Sequence, residues 1–137
     1  MNDETATRQR LERARALIDA CYDQPLDLEQ LAREASFSRY HFLRLFRQAF
    51  DQTPHQYLIE RRLAEAKTLL AHGELSVTEV CFAVGFQSLG SFSALFHRAV
   101  GHPPRLYRAR VLVPGWSPRV FVPTCFLRMF GLPTPHA

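Results

Sequence analysis

The sequence predicts an all-α protein in which a unit of one short helix, a turn and one longer helix occurs twice. Apolar residues recur at helical spacing in two segments that lie about 50 residues apart, a distance typical of internal repeats. Each segment begins with a pair of residues that caps helices, and a third helical stretch lies between the copies. The expected architecture is two helical subdomains joined by a long linker helix.

The first helix of each copy is indicated by an apolar stripe and an N-terminal cap. The stripe has the spacing i, i+3, i+4, i+7 in both copies and consists of Leu28, Leu31, Ala32 and Ala35 in the first and of Val77, Val80, Cys81 and Val84 in the second. A capping pair precedes each stripe, Asp27 with Gln30 and Ser76 with Glu79. Such side chains satisfy the amides that the start of a helix leaves without partners. Two short helices are therefore predicted to begin there.

A turn and a longer helix follow in each copy. The turn covers residues 36–38 in the first copy and residues 85–88 in the second, and each ends in a serine that can cap the next helix. The buried stripe matches position for position, with Phe42, Leu45, Phe46, Ala49 and Phe50 against Phe92, Leu95, Phe96, Ala99 and Val100. Asp51 and Gly101 stand at the two helix ends, where a left-handed residue is expected. This match indicates a duplication.

The segment between the copies predicts the linker helix. Thr53 and Gln56 form a capping box, Pro54 occupies the first helical position, and Gly73 follows the expected last residue, His72. About 18 residues at 1.5 Å each make a rod of roughly 27 Å. Successive major-groove faces on one side of B-DNA recur every ~34–36 Å. The length of the linker favours a monomer whose two units bind adjacent groove segments.

Both units have the form of a helix-turn-helix, whose second helix can enter the major groove of DNA. The groove-facing stripe of that helix in the first unit consists of Tyr40, Leu43, Arg44 and Arg47, with Arg39 at the helix start. In the second unit it consists of Gly90, Ser93, Ala94 and His97, with Leu89 and Ser91 alongside and Arg98 as a further candidate contact. Arg44 is the candidate for reading guanine, and Arg39 and Arg47 are candidates for phosphate contacts. The alternative for Arg44 is a phosphate contact, and the alternative for the other two is a solvated charged face.

The two stripes differ in chemistry. The second has no arginine, lysine, asparagine or glutamine at its centre, so its base preference is expected to be weak. The first unit is therefore expected to supply most base discrimination. The second is expected to add affinity through a close backbone approach at Gly90, through its serines and His97, and through Arg98. Tyr40 and Leu43 offer apolar contact, and a surface position of no consequence is the alternative for both.

The same residues resemble the AraC-type transcriptional regulators over roughly residues 8–110. The sharper match lies in the second copy, in the run Val80-Cys81-Phe82-Ala83-Val84-Gly85-Phe86 followed by Ser91-Phe92, Leu95-Phe96, Gly101-His102-Pro103-Pro104 and Leu106-Tyr107-Arg108. The first copy and the linker match through Ser38-Arg39-Tyr40-His41-Phe42, Leu45-Phe46, Thr53-Pro54, Tyr57-Leu58, Arg62-Leu63, Ala66, Leu69 and Leu70.

The resemblance implies about seven helices, with each recognition helix in one of two adjacent major-groove segments. It places the base-reading positions at Tyr40, Leu43 and Arg44 in the first unit and at Leu89, Gly90, Ser91, Ser93 and Ala94 in the second. Ser36 departs from the family, which often has glycine there, so a first turn that is tightened or reshaped but still formed is expected. Most members carry a further ligand-binding or dimerising domain that 137 residues do not accommodate, so the resemblance is to the stand-alone class.

The composition favours a DNA-binding protein over an enzyme. The formal net charge of +4 is compatible with a polyanionic partner. The three cysteines form no CxxC pair, the six histidines show no metal-ligand spacing, and no nucleophile motif is present. No enzyme activity, metal or cofactor is therefore expected. Because the sequence has neither a long apolar segment nor a signal peptide, the expected location is the cytoplasm.

Several residues outside the stripes also have assigned roles. Cys81 and Cys21 are expected to be structural core residues, and Cys125 is the only thiol for which a regulatory role is considered. Arg62 is expected either to pair with a carboxylate across a helix interface or to reach phosphate. Phosphate contacts are also considered for Arg61, Lys67, Arg105, Arg108 and Arg110.

The expected domains are a tandem DNA reader, residues 1–110, and a proline-rich apolar extension, residues 111–137. Within the reader, the first unit covers about 8–52, the linker helix about 54–72 and the second unit about 74–110. The extension is expected to pack on the protein's own helices, and a partner or dimer interface and a small-molecule pocket are the alternatives.

Double-stranded DNA is the expected partner, and a monomer is expected to bind it. RNA polymerase or another regulator is expected as a further partner. Two competing functions stay open. One is an interaction module that recruits a separate sensor or partner through the extension, and the other is an architectural binder with little sequence preference.

Overall fold

Seven helices make up the part of the chain that the computed structural model describes, residues 3–111. Within this range there is no β-strand, and the helices are α1 (Asp3–Cys21), α2 (Leu28–Glu34), α3 (Arg39–Phe50), α4 (Pro54–His72), α5 (Val77–Ala83), α6 (Leu89–Val100) and α7 (Pro104–Val111). The all-α prediction and the expected number of helices are confirmed. The expectations for the extension and for Cys125 fall on residues 112–137, which lie outside the described residues.

The described residues divide into two compact units, and the division falls inside α4 between Arg62 and Leu63. The first unit contains α1, α2, α3 and the beginning of α4. The second contains the rest of α4 together with α5, α6 and α7. The linker helix ends at His72, as the sequence predicts, and it has buried residues on both sides of the division.

The duplication extends one helix further toward the N-terminus than the sequence analysis predicts. Two helices bury a triplet with the spacing i, i+3, i+7, namely Leu11, Ala14 and Ile18 on α1 and Leu63, Ala66 and Leu70 on α4. Each residue of the first triplet precedes its partner by 52 positions. The place that α1 occupies in the first unit is therefore taken by the second half of α4 in the second unit. The repeat thus has three helices rather than two.

The predicted caps are all present, and they explain where the helices begin. In the box before α2, the amide of Gln30 donates to Asp27 Oδ1 at 2.8 Å and the amide of Asp27 donates to Gln30 Oε1 at 2.9 Å. Ser76 and Glu79 form the same reciprocal pair before α5. Thr53 and Gln56 form it before α4, at 3.1 and 2.9 Å.

Replacing Ser76 by alanine is expected to lower the free energy of unfolding by about 1 kcal/mol. The change removes the hydroxyl that accepts the amide of Glu79 at 3.0 Å, so one amide at the start of α5 loses its partner inside the protein. Urea denaturation followed by circular dichroism measures the difference. Thr78→Ala is the matched control, because Thr78 is exposed on the same helix. Equal effects of the two changes would contradict the role given to the cap.

The two turns between short and long helix share one hydrogen-bond pattern, the Schellman motif. Its two bonds run from the amides of Ser36 and Phe37 to the carbonyls of Arg33 and Ala32, and from those of Gly85 and Phe86 to the carbonyls of Phe82 and Cys81. The residue with positive φ is Gly85, at +101°, in the second turn and Ser36, at +59°, in the first. The serine therefore leaves the turn intact and occupies a conformation that favours glycine.

Each unit has an aromatic cluster that fixes the inner face of its long helix. The ring centroids are separated by 5.6 Å for Phe42 and Phe46, 6.2 Å for Phe46 and Tyr57, 5.7 Å for Phe92 and Phe96, and 5.5 Å for Phe96 and Tyr107. All four phenylalanines are fully buried. Both long helices end in a left-handed residue, Asp51 or Gly101, as predicted. The faces opposite the clusters are left for solvent.

Candidate nucleic-acid interface

The outer face of α3 presents every residue that the sequence analysis assigns to DNA contact in the first unit. Arg39, Tyr40, Leu43, Arg44 and Arg47 are all exposed. Tyr40 has 78% of its surface accessible and Leu43 has 37%. The first turn of α3 contains no acidic residue. This face is therefore an open, basic surface with an apolar component, which suits the edge of a duplex.

The outer face of α6 presents the corresponding residues of the second unit. The exposed residues are Leu89, Gly90, Ser91, Ala94, His97 and Arg98, and Ser93 is half-buried. A Cβ added to Gly90 would meet only the Oγ of Ser88, at an ordinary distance of 3.8 Å. Glycine at this position is therefore not required by packing among the described residues. The face has one arginine, Arg98 in the last turn, where that of α3 has three, so it is the less basic of the two.

Serine caps hold the first residues of both faces. The Oγ of Ser38 accepts the amide of His41, and the Oγ of Ser88 accepts the amide of Ser91, each at 3.3 Å. These bonds fix the first turn of α3, which carries Arg39, and the first turn of α6. The start of each recognition helix is thus defined by local sequence.

Arginines of α1 contact α3 at its C-terminal end, a feature that the sequence analysis missed. The guanidinium carbons of Arg8 and Arg15 lie 5.2 and 4.5 Å from the ring centroid of Phe50, the last residue of α3. Glu12 forms ion pairs with both arginines, at 3.5 and 2.7 Å. In the sequence these residues read only as a charged helix face, since nothing local connects them to Phe50.

Two of the candidate phosphate ligands are used inside the protein. Arg62 donates to the carbonyls of Tyr22 at 2.6 Å and Gln24 at 3.0 Å, so it has a structural role through main-chain carbonyls, partners that the sequence does not indicate. Burial lowers the pKa of the Arg62 guanidinium. Arg108 donates in the same manner to the carbonyls of Leu70 and Leu75. Arg62 thus binds the connection between α1 and α2, and Arg108 binds both the end of α4, at Leu70, and the connection to α5, at Leu75.

The other candidate cations differ in exposure. Arg105 and Arg110 are exposed on α7, whereas Arg61 and Lys67 are half-buried. The Nζ of Lys67 lies 5.9 Å from the ring centroid of Tyr107, and burial lowers the pKa of its ammonium group. Arg105 and Arg110 are thus the better placed of the six for contact with a polyanion.

The described cysteines behave largely as expected. Cys81 is completely buried, which confirms it as a core residue, and burial raises the pKa of its thiol. Cys21 is half-buried at the end of α1, so it is less enclosed than predicted. Across residues 3–111, no group of three or more His, Cys, Asp or Glu side chains is arranged to hold a metal ion. None of the helices there has the length and hydrophobicity of a membrane-spanning segment.

Two compact units, each with an exposed recognition-helix face, define a tandem helix-turn-helix protein. A family model described as a helix-turn-helix domain matches residues 31–110, which is more than half of the chain. The chain belongs to the AraC-type helix-turn-helix family. This finding confirms the resemblance stated from the sequence.

Individual relatives differ in how much of their length the chain covers. The transcriptional regulator GbdR of Pseudomonas aeruginosa is 36% identical over 90 residues, which are 66% of this chain and 24% of GbdR. The chain thus spans about a quarter of that relative. The regulatory protein SoxS of Escherichia coli is 32% identical over 96 residues, which are 70% of this chain and 90% of SoxS.

A solved structure shows the same fold. The DNA-binding domain of the transcriptional factor AdpA, determined in complex with a target DNA, aligns with a TM-score of 0.71 and 34% identity. The alignment covers 77% of this chain and 97% of the AdpA domain.

Proposed function

We propose that this chain binds specific sequences of double-stranded DNA and regulates transcription, with α3 and α6 in adjacent major-groove segments. The observation that carries the proposal is the exposure of the candidate base-reading positions on both long helices, opposite their buried aromatic faces. The AdpA domain, whose fold is similar, binds a target DNA. GbdR and SoxS, which are similar in sequence, are regulators.

In this function the first unit reads the sequence. Arg44 donates two hydrogen bonds to the O6 and N7 of a guanine, and Leu43 and the ring of Tyr40 contact thymine methyl groups or sugars. Arg39 and Arg47 bind phosphates and so set the register of the protein on the duplex. This division follows from the positions of the residues, since Arg44 lies in the middle of the exposed stripe of α3 and the other two arginines lie toward its ends.

The second unit adds affinity with a weaker base preference. Gly90 allows the backbone at the start of α6 to approach the duplex, because no side chain stands between them. The hydroxyls of Ser91 and Ser93 can donate or accept with several bases, so they discriminate weakly. His97 and Arg98, in the last turn of the helix, are placed for phosphate.

The proposal is tested by selecting bound duplexes from a random library with the purified full chain. We expect a motif of two half-sites about 10 base pairs apart, in which one half-site is defined more sharply than the other. A variant carrying Arg39→Ala, Arg44→Ala and Arg47→Ala is the control, and it should lose the sharper half-site. Equal affinity for all duplexes with a steep salt dependence would instead identify an architectural binder.

A further inference from the structure

Arg10 of α1 contacts the turn that precedes the first recognition helix at three points. Its Nε donates to the carbonyl of Ala35 at 2.8 Å, and a terminal nitrogen donates to the carbonyl of Ser36. Its guanidinium carbon lies 3.8 Å from the ring centroid of Phe37, close enough for a cation–π contact. One side chain therefore binds all three consecutive residues, 35–37, of this turn.

The turn has a physical reason to need such support. Ser36 has a φ of +59°, in the left-handed region that is unfavourable for a residue with a Cβ. The equivalent residue of the second unit is Gly85, which adopts positive φ without this cost. The first turn therefore needs an interaction that the second does not.

The repeat itself supports this comparison. Arg62 directly precedes Leu63 as Arg10 directly precedes Leu11, so the two arginines occupy equivalent places in the two units. Arg62, however, donates to the carbonyls of Tyr22 and Gln24, which precede α2. Arg10 thus binds the turn that contains Ser36, whereas Arg62, its equivalent, binds the connection between α1 and α2.

The position of the turn links Arg10 to DNA recognition. Ser38, which caps α3, and Arg39, its first residue, follow Phe37 within two positions. We propose that Arg10 is a positioning residue for sequence recognition: by holding Ser36 in the left-handed conformation, it sets the N-terminal end of α3 in the reading position. This inference rests on the proposed function. Because its Nε, one terminal nitrogen and the face of its guanidinium contact the turn, Arg10 in this proposal acts through α3 rather than as a phosphate ligand.

The test compares Arg10→Ala in the native chain and in a Ser36→Gly chain, using the duplex that the wild-type full chain selects. Arg10→Ala is expected to weaken binding about tenfold, because Ser36 leaves the left-handed conformation when its support is lost. In the Ser36→Gly chain the same change is expected to weaken binding by less than about threefold, since glycine retains the turn unaided. Arg10→Lys should not restore binding, because lysine lacks the planar fork that bonds two carbonyls and stacks on a ring.

Two controls separate positioning from charge. Arg13→Ala removes the same charge from an exposed site on α1 and should change affinity by less than about twofold. Arg10→Ala should leave the slope of log affinity against log salt unchanged, whereas loss of a phosphate ligand reduces that slope by about one. All variants are compared at a temperature where circular dichroism shows native helix content. An equal loss in the serine and glycine chains, or a reduced slope, overturns the inference.

Amide hydrogen exchange at Phe37 gives a readout that needs no DNA. This amide donates to the carbonyl of Ala32 at 2.9 Å, so its exchange reports opening of the turn. We expect faster exchange in Arg10→Ala and recovery in the Ser36→Gly chain. If the wild-type chain selects no duplex, the proposed function fails, while this pattern would still support the hold of Arg10 on the turn. If the chain binds its duplex and neither exchange nor affinity shows the coupling, the inference fails alone.

Discussion

Replacing Phe96 by alanine is expected to lower the free energy of unfolding of the second unit by about 3–5 kcal/mol. The ring is fully buried, and its centroid lies 5.7 Å from that of Phe92 and 5.5 Å from that of Tyr107. Truncation removes these contacts and leaves a cavity that the neighbours fill only in part. Since whole domains are stable by about 5–15 kcal/mol, urea should unfold the variant at a much lower concentration.

A phenylalanine on the surface of the same unit provides the matched control. Phe82 lies on α5 with 54% of its surface exposed, so Phe82→Ala is expected to change stability by no more than about 0.5 kcal/mol. Urea denaturation gives the overall loss, and hydrogen exchange of the α6 amides assigns it to the second unit. Similar unfolding midpoints for the two variants would contradict the central place of Phe96 in the core.

Replacing Arg44 by alanine is expected to weaken binding to the selected duplex by about 1–3 kcal/mol, or about 5- to 150-fold. Because Arg44 is exposed on α3, its truncation leaves the aromatic core intact, and the loss is one of recognition. The variant has alanine where the second unit has Ala94, so base preference at one position of the sharper half-site should disappear. Fluorescence anisotropy on duplexes that differ by single base pairs measures both effects.

Substitutions of two other arginines distinguish base recognition from electrostatic attraction to the phosphates. Arg47→Ala is expected to weaken all duplexes alike and to reduce the salt slope by about one, as loss of a phosphate ligand does. Arg33→Ala, at an exposed position on α2, should have little effect on base preference. If Arg44→Ala weakened every duplex equally, Arg44 would be a phosphate ligand and the alternative role considered from the sequence would hold.

Most of the fold follows from short-range patterns in the sequence. The capping pairs define the starts of α2, α4 and α5, and Gly73 follows the end of α4, because these signals act within a few residues. The equivalence of α1 and α4 does leave a signal in the sequence, since Leu11 and Ala14 match Leu63 and Ala66 and only Ile18 and Leu70 differ. However, the connection after α1 is longer than the one after α4, so the offset of 52 positions between these helices differs from that between the later ones. A repeat read at one constant offset therefore does not include α1.

The sequence predicts which residues form the candidate site better than it predicts which residues hold them in position. Helical periodicity separates the buried face of α3 from the exposed one, so the exposure of Arg44 was within reach of the sequence. The contact of Arg10 with the first turn spans 25 positions, and no local pattern indicates it. Arg62 was given two alternatives for the same reason, since only the fold brings its carbonyl partners within reach.

The separation of faces on α3 and α6 has a consequence for how this protein can change. Eleven of the twelve candidate contact residues are exposed and Ser93 is half-buried, so core packing places little constraint on their identity. Other side chains at positions such as Leu89 or Ala94 are therefore compatible with the same stable fold. Under the proposed function, a new DNA target can therefore be acquired, by mutation and selection or by design, without a compensating change in the interior.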